Sequence, residues 1–162
     1  MPSTQSEYVL FDAGVFIGAL LLGDPRHREA RPLVEAARRG ELLACTTTGI
    51  LSEVYAALTW QQAAPPQDPA EAAQAVRLLI EPPSMILILG DGLEEARRML
   101  DLAASHQLRA RRVHDGRHAA AALVAGITSV FTYDADDWAI FEPEGLRITG
   151  PPSTLVRLGR SS

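Results

Sequence analysis

Four acidic residues spread along the chain, Asp12, Glu53, Asp115 and Asp134, stand where carboxylates could converge on one point. Asp12 ends the β-prone run Tyr8-Val9-Leu10-Phe11, and Asp134 follows the similar run Ser129-Val130-Phe131-Thr132. In an open parallel sheet, ligands bind beyond the carboxyl ends of the strands, near the point where strand order reverses. Asp115 stands where a helix is expected to open, a place where exposed amides favour a carboxylate. Glu53 lies three residues after Ile50 and four before Ala57, on the edge of an apolar helical stripe. A carboxylate there is costly unless something pairs with it, and a divalent cation ringed by oxygens would offset that cost. Taken singly, each acid has an ordinary reading: a turn residue at Asp12, a helix cap at Asp115, a solvated or arginine-paired side chain at Glu53. It is their joint placement that points to a site.

Carboxylates alone offer no strong nucleophile. Hydrolysis at such a site would use water activated by a cation that also steadies an anionic transition state. Hard oxygen ligands favour Mg²⁺ or Mn²⁺ over zinc, and a phosphodiester is the substrate that suits them best.

The elements that would position these residues follow from periodicity and punctuation. After the first strand and the turn at Asp12-Ala13-Gly14, the apolar stretch Val15 to Leu22 reads as a helix. Asp24-Pro25 supplies a cap and a first-turn proline for a second helix running to about Arg39, where Gly40 ends it. Leu42 to Cys45 is a short strand, and Thr46 to Thr48 can cap the helix that carries Glu53. Beyond the proline-rich loop Gln61 to Pro69, capping boxes at Asp68-Glu71 and Asp91-Glu94 open helices to about Ile80 and His106, with an apolar strand Met85 to Leu89 between them. A helix from about Asp115 to Ala125, the run Ser129 to Thr132, an acidic loop and a strand Leu146 to Thr149 complete the pattern. Strands separated by helices imply an α/β fold: a three-layer α/β/α arrangement around a mostly parallel sheet, with residues 1–162 read as a single domain.

Composition narrows the function classes. Hydrophobic residues are 47% and charged residues 22% of the 162, which suits a packed core and excludes the signature of disorder. The single cysteine, Cys45, allows neither an internal disulfide nor a thiolate metal cage, so a reducing cytoplasm is expected. The polar stretch Met1 to Glu7 has no leader pattern, and no apolar run is long enough to span a bilayer. All 15 basic residues are arginine, and asparagine is absent as well as lysine, which reads as codon bias. With a net charge of -5 the chain cannot coat nucleic acid by bulk attraction, so any such contact must be local.

Four stretches resemble the PIN-domain nucleases, especially VapC-like toxins of bacterial type II toxin-antitoxin systems. They are Phe11-Asp12-Ala13-Gly14-Val15-Phe16-Ile17, Ile50-Leu51-Ser52-Glu53-Val54, the run from His114-Asp115-Gly116-Arg117 to Ala122, and Val130-Phe131-Thr132-Tyr133-Asp134-Ala135-Asp136-Asp137-Trp138. The resemblance spans Phe11 to Pro151 and implies a Mg²⁺- or Mn²⁺-dependent endoribonuclease. It implies that Asp12, Glu53, Asp115 and Asp134 hold the metal and its water, with Asp137 a further acid of the same loop and Thr132 a supporting hydroxyl. It also implies a cognate antitoxin protein covering the site, and a homodimer. One departure is Gly14, where that family commonly carries asparagine or serine; losing a polar side chain there would loosen the surroundings of the site.

Other readings stay open. A PIN nuclease serving RNA processing or DNA cleavage would carry the same acids, and Gly14 leaves room for a catalytically weak RNA-binding module. A receiver- or dehalogenase-like phosphate-handling domain lacks its lysine and its Asp-x-Asp signature at Asp12. Arg109, Arg111, Arg112 and Arg117 form the densest basic patch and flank Asp115; they could hold RNA phosphates or form a solvated loop. His114 and His118, four apart, could ligate a metal, though the intervening glutamate of zinc proteases is missing. Trp60 and Trp138 suit core or interface packing better than base stacking, and Cys45 reads as a small buried hydrophobe.

Overall fold

Runs of two to four residues build the centre of the molecule. In the computed structural model, which describes residues 7–160, strand β1 (Val9–Phe11) lies between β2 (Ala44–Thr46) and β4 (Ser129–Phe131), parallel to both. Strand β3 (Leu87–Ile88) pairs with β2, and β5 (Arg147–Gly150) pairs with β4, so the order is β3-β2-β1-β4-β5. All neighbouring pairs are parallel. Such a sheet must be covered on both faces, and Leu10, Phe11, Cys45, Val130 and Ile148 are fully buried. The polar start Met1 to Ser6, read above as lacking a leader, lies outside the described residues.

Helices α1 (Ala13–Leu20), α2 (His27–Arg38), α3 (Thr48–Thr59) and α4 (Pro69–Ile80) connect β1 through β2 to β3. Helices α5 (Leu93–Ser105) and α6 (Arg112–Val124) then carry the chain back across the sheet to β4. The short α7 (Ala135–Trp138) and a 3-10 helix (Ala139–Glu144) lead to β5, and α8 (Pro152–Arg157) follows it. Right-handed crossovers in opposite directions place α1 to α4 on one face and α5 to α7 on the other. Consistently, α1 packs on α2 and α3, and α5 packs on α6. This is the three-layer α/β/α arrangement with a parallel sheet that the strand–helix alternation implied. Among the described residues, no helix is long and apolar enough to cross a membrane.

Local chemistry explains most boundaries. Thr47 Oγ1 accepts from Ile50 N–H at 3.0 Å to start α3, and Asp68 accepts from Ala70 and Glu71 to start α4. Gly40 adopts φ +76° just beyond α2, which a glycine does without strain. Four expectations need correction. Asp115 does not open a helix: α6 begins at Arg112, with Arg111 as its cap, so Asp115 is the fourth helical residue. The α5 cap is Gly92, whose N–H donates to Glu95 rather than engaging Glu94. Helix α2 starts at His27, two residues after Pro25, because Asp24 is drawn back onto Arg26. Finally, the Met85–Leu89 run pairs as a strand only at Leu87 and Ile88, both exposed on the sheet's edge.

The β4–β5 pairing shifts register between Val130 and Phe131, bringing Phe131 opposite Gly150. Phe131 also stacks on Phe11, with centroids 5.3 Å apart and planes at 10°. A Cβ on Gly150 would come within 2.7 Å of the Phe131 ring. Gly150→Ala is therefore expected to cost about 1–3 kcal/mol in denaturant-induced unfolding, because the stacked pair leaves the ring nowhere to move.

Candidate active site

The site begins with Asp12, which leaves β1 and caps α1 while only 4% exposed. A carboxylate so buried needs donors, and it has three. Oδ1 accepts from Ala13 N–H at 2.8 Å, and Oδ2 accepts from the Thr132 hydroxyl at 2.8 Å and the Trp138 indole N–H at 3.1 Å. Burial still raises its pKa above the ordinary value, against the pull of the hydrogen bonds from Thr132 and Ala13. Trp138 is thus a core residue, and its polar edge serves the site. Thr132 does double service, since its oxygen also accepts from Asp134 N–H at 3.0 Å and so fixes the loop after β4.

Three further acids gather beside Asp12. Asp115, one turn into α6, has its carboxyl pushed up to about 7, first by desolvation and then by the fields of Asp12 and Asp137. Asp134 is exposed at the rim, yet partial desolvation and Asp137 raise its pKa as well. Asp137, in the first turn of α7, has Oδ1 at 3.8 Å from Arg112 Nη1.

Glu53 approaches from α3 and is held by a contact the sequence did not suggest. Its Oε1 lies 2.9 Å from His118 Nε2, and His118 Nδ1 lies 3.0 Å from Thr47 Oγ1. His118 itself is 1% exposed. With Thr47 Oγ1 already accepting from Ile50 N–H, its hydroxyl is free to donate to His118 Nδ1, which leaves the ring's Nε2–H to donate to Glu53. A Cβ at Gly49 would fall 2.8 Å from His118 Cε1, so the glycine at the second position of α3 is what lets α6 come this close. Glu53 thus pairs with a histidine rather than an arginine, while its side chain stays 41% exposed.

The five carboxylates therefore face one region at the carboxyl ends of β1 and β4, next to the point where strand order reverses. Their fields overlap: Asp115 feels Asp12, Asp137 and Glu53, and Asp134 feels Asp137 and Glu53. In kind and charge this all-oxygen set fits a hard dication, which would offset both the desolvation and the mutual repulsion that raise Asp12, Asp115 and Asp134. Among the described residues, no three acids or histidines stand at ligand spacing about one point.

The remaining candidates divide. Arg117 donates to Asp91 at 2.6 Å and Arg112 engages Asp137, whereas Arg111 and Arg109 are exposed and make no ion pair among the described residues. His114 is exposed, and Trp60 is 58% exposed on the surface. Cys45 is buried, its thiol pushed up to about 12 by desolvation. The space a side chain at Gly14 would fill is taken: a Cβ there would meet Arg26 Nη1 at 2.8 Å.

Residues 9–141 match the family model of the PIN domain, and the chain belongs to that family. No curated protein matches the sequence. Among solved structures, the chain is similar to Mycobacterium tuberculosis VapC20, described as a sarcin-ricin loop-cleaving toxin, at TM-score 0.63 and 16% identity over 81% of this chain and 93% of that one. It is also similar to VapBC-1 from nontypeable Haemophilus influenzae, at TM-score 0.60 and 17% identity over 88% and 96% of the two chains. FitAcB from Neisseria gonorrhoeae gives TM-score 0.58 and 13% identity over 88% and 97%. At such identities the likeness is one of fold, and it is the family model that bears out the PIN-domain resemblance of the motif stretches.

Two stability effects follow. Thr132→Val removes a donor from Asp12 and an acceptor from Asp134 N–H, so it should cost about 1–3 kcal/mol in chemical denaturation. Asp115 behaves oppositely, because its folded pKa of about 7 lies above the usual 3.8. The folded state holds a proton that the unfolded chain has released, so this group withdraws stability as pH rises from about 4 to about 7. In chelator, Asp115→Asn should melt higher than the wild type at pH 8, with the difference vanishing near pH 4.

Proposed function

We propose that the chain is a divalent-metal-dependent endoribonuclease serving as the toxin of a toxin-antitoxin pair. The observation that carries this reading is the meeting of Asp12, Glu53, Asp115, Asp134 and Asp137 beyond β1 and β4, three of them with raised pKa values. Asp12, Asp115 and Asp134, with Glu53 and Asp137 beside them, would hold Mg²⁺ or Mn²⁺. When bound, such an ion activates water and neutralises charge on a phosphodiester in the transition state.

The chain's own contribution is pre-organisation. Thr132 and Trp138 fix the Asp12 carboxylate in one orientation, and Thr132 sets the backbone of Asp134. His118 acts as a positioning residue for Glu53, as second partners do for ligating groups in general. Arg111, the exposed cap residue of α6, is free to meet an RNA phosphate, while Arg112 and Arg117 would have to exchange their acidic partners for one. The toxin role, a small antitoxin partner, a homodimer and a cytoplasmic setting rest on the VapC-like resemblance. A second reading, an RNA-binding module with a weak site, draws on the lack of three acids at ligand spacing among the described residues. Calorimetry with Mn²⁺ separates the two, since such a module need bind no ion at the carboxylates.

Cleavage of single-stranded RNA in Mg²⁺ or Mn²⁺ tests the main reading. Asp115→Asn is the preferred knockout, because an amide at position 12 would oppose the indole N–H of Trp138. Activity should fall by at least about a hundredfold, a loss typical of removing one electrostatic contributor to a transition state. Undiminished cleavage by this variant, or none by the wild type, would count against the proposal. His118→Ala should leave cleavage measurable while raising the Mn²⁺ concentration for half-maximal rate about tenfold.

A further inference from the structure

We infer that Arg26, placed over Gly14 by a trough in α1, contacts a non-bridging phosphate oxygen of the nucleic acid bound at the carboxylates. The inference rests on the nuclease reading above and adds a substrate-binding residue to it. Its basis is the way α1 accommodates one long side chain. Gly14 and Gly18 lie one helical turn apart on the same face of α1, where glycine costs about 1 kcal/mol each relative to alanine. A Cβ at Gly18 would meet Arg26 Cβ at 2.9 Å, and one at Gly14 would meet Arg26 Nη1 at 2.8 Å. The arginine therefore runs along α1 from Gly18 toward Gly14, and so toward the end that Asp12 caps.

Its guanidinium is held from two further sides. Nε and Nη2 donate to the two oxygens of Asp24 at 2.9 and 2.8 Å, and Cζ stands 5.4 Å from the centroid of the Tyr133 ring. Tyr133 is in turn anchored, its hydroxyl donating to Glu29 Oε1 at 2.9 Å. That leaves Nη1, which makes no hydrogen bond to any described residue, carrying two N–H donors beside Gly14. The charge of Arg26 reaches Asp134, whose pKa it lowers against the neighbouring acids. A planar guanidinium locked by one carboxylate and a ring, with a free nitrogen next to an acidic pocket, is arranged to donate to a phosphate oxygen at little cost in side-chain entropy. Among the arginines near the site, Arg112 and Arg117 lean on Asp137 and Asp91 and Arg157 reaches Tyr133 O at 3.4 Å, whereas Arg26 is gripped at two nitrogens by the Asp24 fork and keeps Nη1 unengaged beside Gly14.

Gly14→Ala gives a selective test, because the methyl group displaces the far end of a flexible side chain and helix propensity improves. Binding is read by fluorescence anisotropy with a labelled single-stranded oligoribonucleotide in Mn²⁺, in the Asp115→Asn background so that cleavage does not interfere. Arg26→Ala and Gly14→Ala should each weaken binding about tenfold, and the double variant no further, since both remove the same contact. The slope of log affinity against log salt should become shallower by about 0.7, the share of one phosphate contact on a single strand. Arg26→Lys should not restore binding, because an ammonium cannot hold the Asp24 fork and present a second nitrogen. Affinity and salt slope unchanged in both alanine variants, with melting showing that they remain folded, overturn the inference. If they are unchanged while the Asp115-intact protein cleaves RNA, the nuclease reading stands alone; if binding weakens as stated but no cleavage occurs, the phosphate contact stands and the nuclease reading falls.

Discussion

A carboxylate sealed beneath the end of a central strand is the constraint around which this molecule is arranged. Asp12 cannot be solvated where it sits, so the fold must supply donors, and it draws them from three places: the first turn of α1, the end of β4 and the last residue of α7. The Ala13 N–H is local, but the other two donors are delivered by tertiary structure. Thr132 reaches Asp12 only because β4 pairs beside β1 in register, Leu10 against Val130 and Phe11 against Phe131. Trp138 reaches it only because α7 folds back after the loop that carries Asp134. The sheet register and the geometry of the pocket are accordingly one fact seen at two scales.

Around that centre the protein concentrates negative charge and stations the counter-charges at its margin. Arg26, Arg112 and Arg117 approach the pocket yet are each engaged by an acid, Asp24, Asp137 and Asp91 respectively. His118 approaches from within the core and takes Glu53. Burial first, and then the fields of neighbouring acids, raise the carboxyls left there, which is how a chain with an ordinary overall charge of -5 produces an aspartate with a pKa of about 7.

Much of this was legible in the sequence, and the illegible part has a physical pattern. The strands announced themselves through apolar, β-branched and aromatic runs, and the helices α3 and α4 through Thr47 and Asp68. Local signals misled where a residue had a commoner local role than its actual one. Asp115 resembles a cap, but the preceding turn at Arg109 to His114 is closed by backbone hydrogen bonds and the helix opens earlier. Asp24 looked like a cap for α2, yet its carboxylate is spent on the Arg26 backbone and guanidinium. Contacts between distant positions left no periodic trace: Thr47 and His118 are 71 residues apart, and the space beside Gly14 is filled by Arg26, the residue just before α2. The convergence of the acids could be guessed because strand ends meet in parallel sheets; the histidine and arginine that steady them could not.

The two-residue edge strand bears on how the molecule behaves among its own copies. β3 closes one side of the sheet with Leu87 and Ile88 open to solvent, and Leu89 N–H is already turned inward to Thr46. An outward row of backbone donors and acceptors this brief gives a passing strand almost nothing to zip onto. Apolar residues can thus sit at the sheet's margin without inviting stacking into fibres, and brevity does here what charged or proline-bearing borders do in longer sheets.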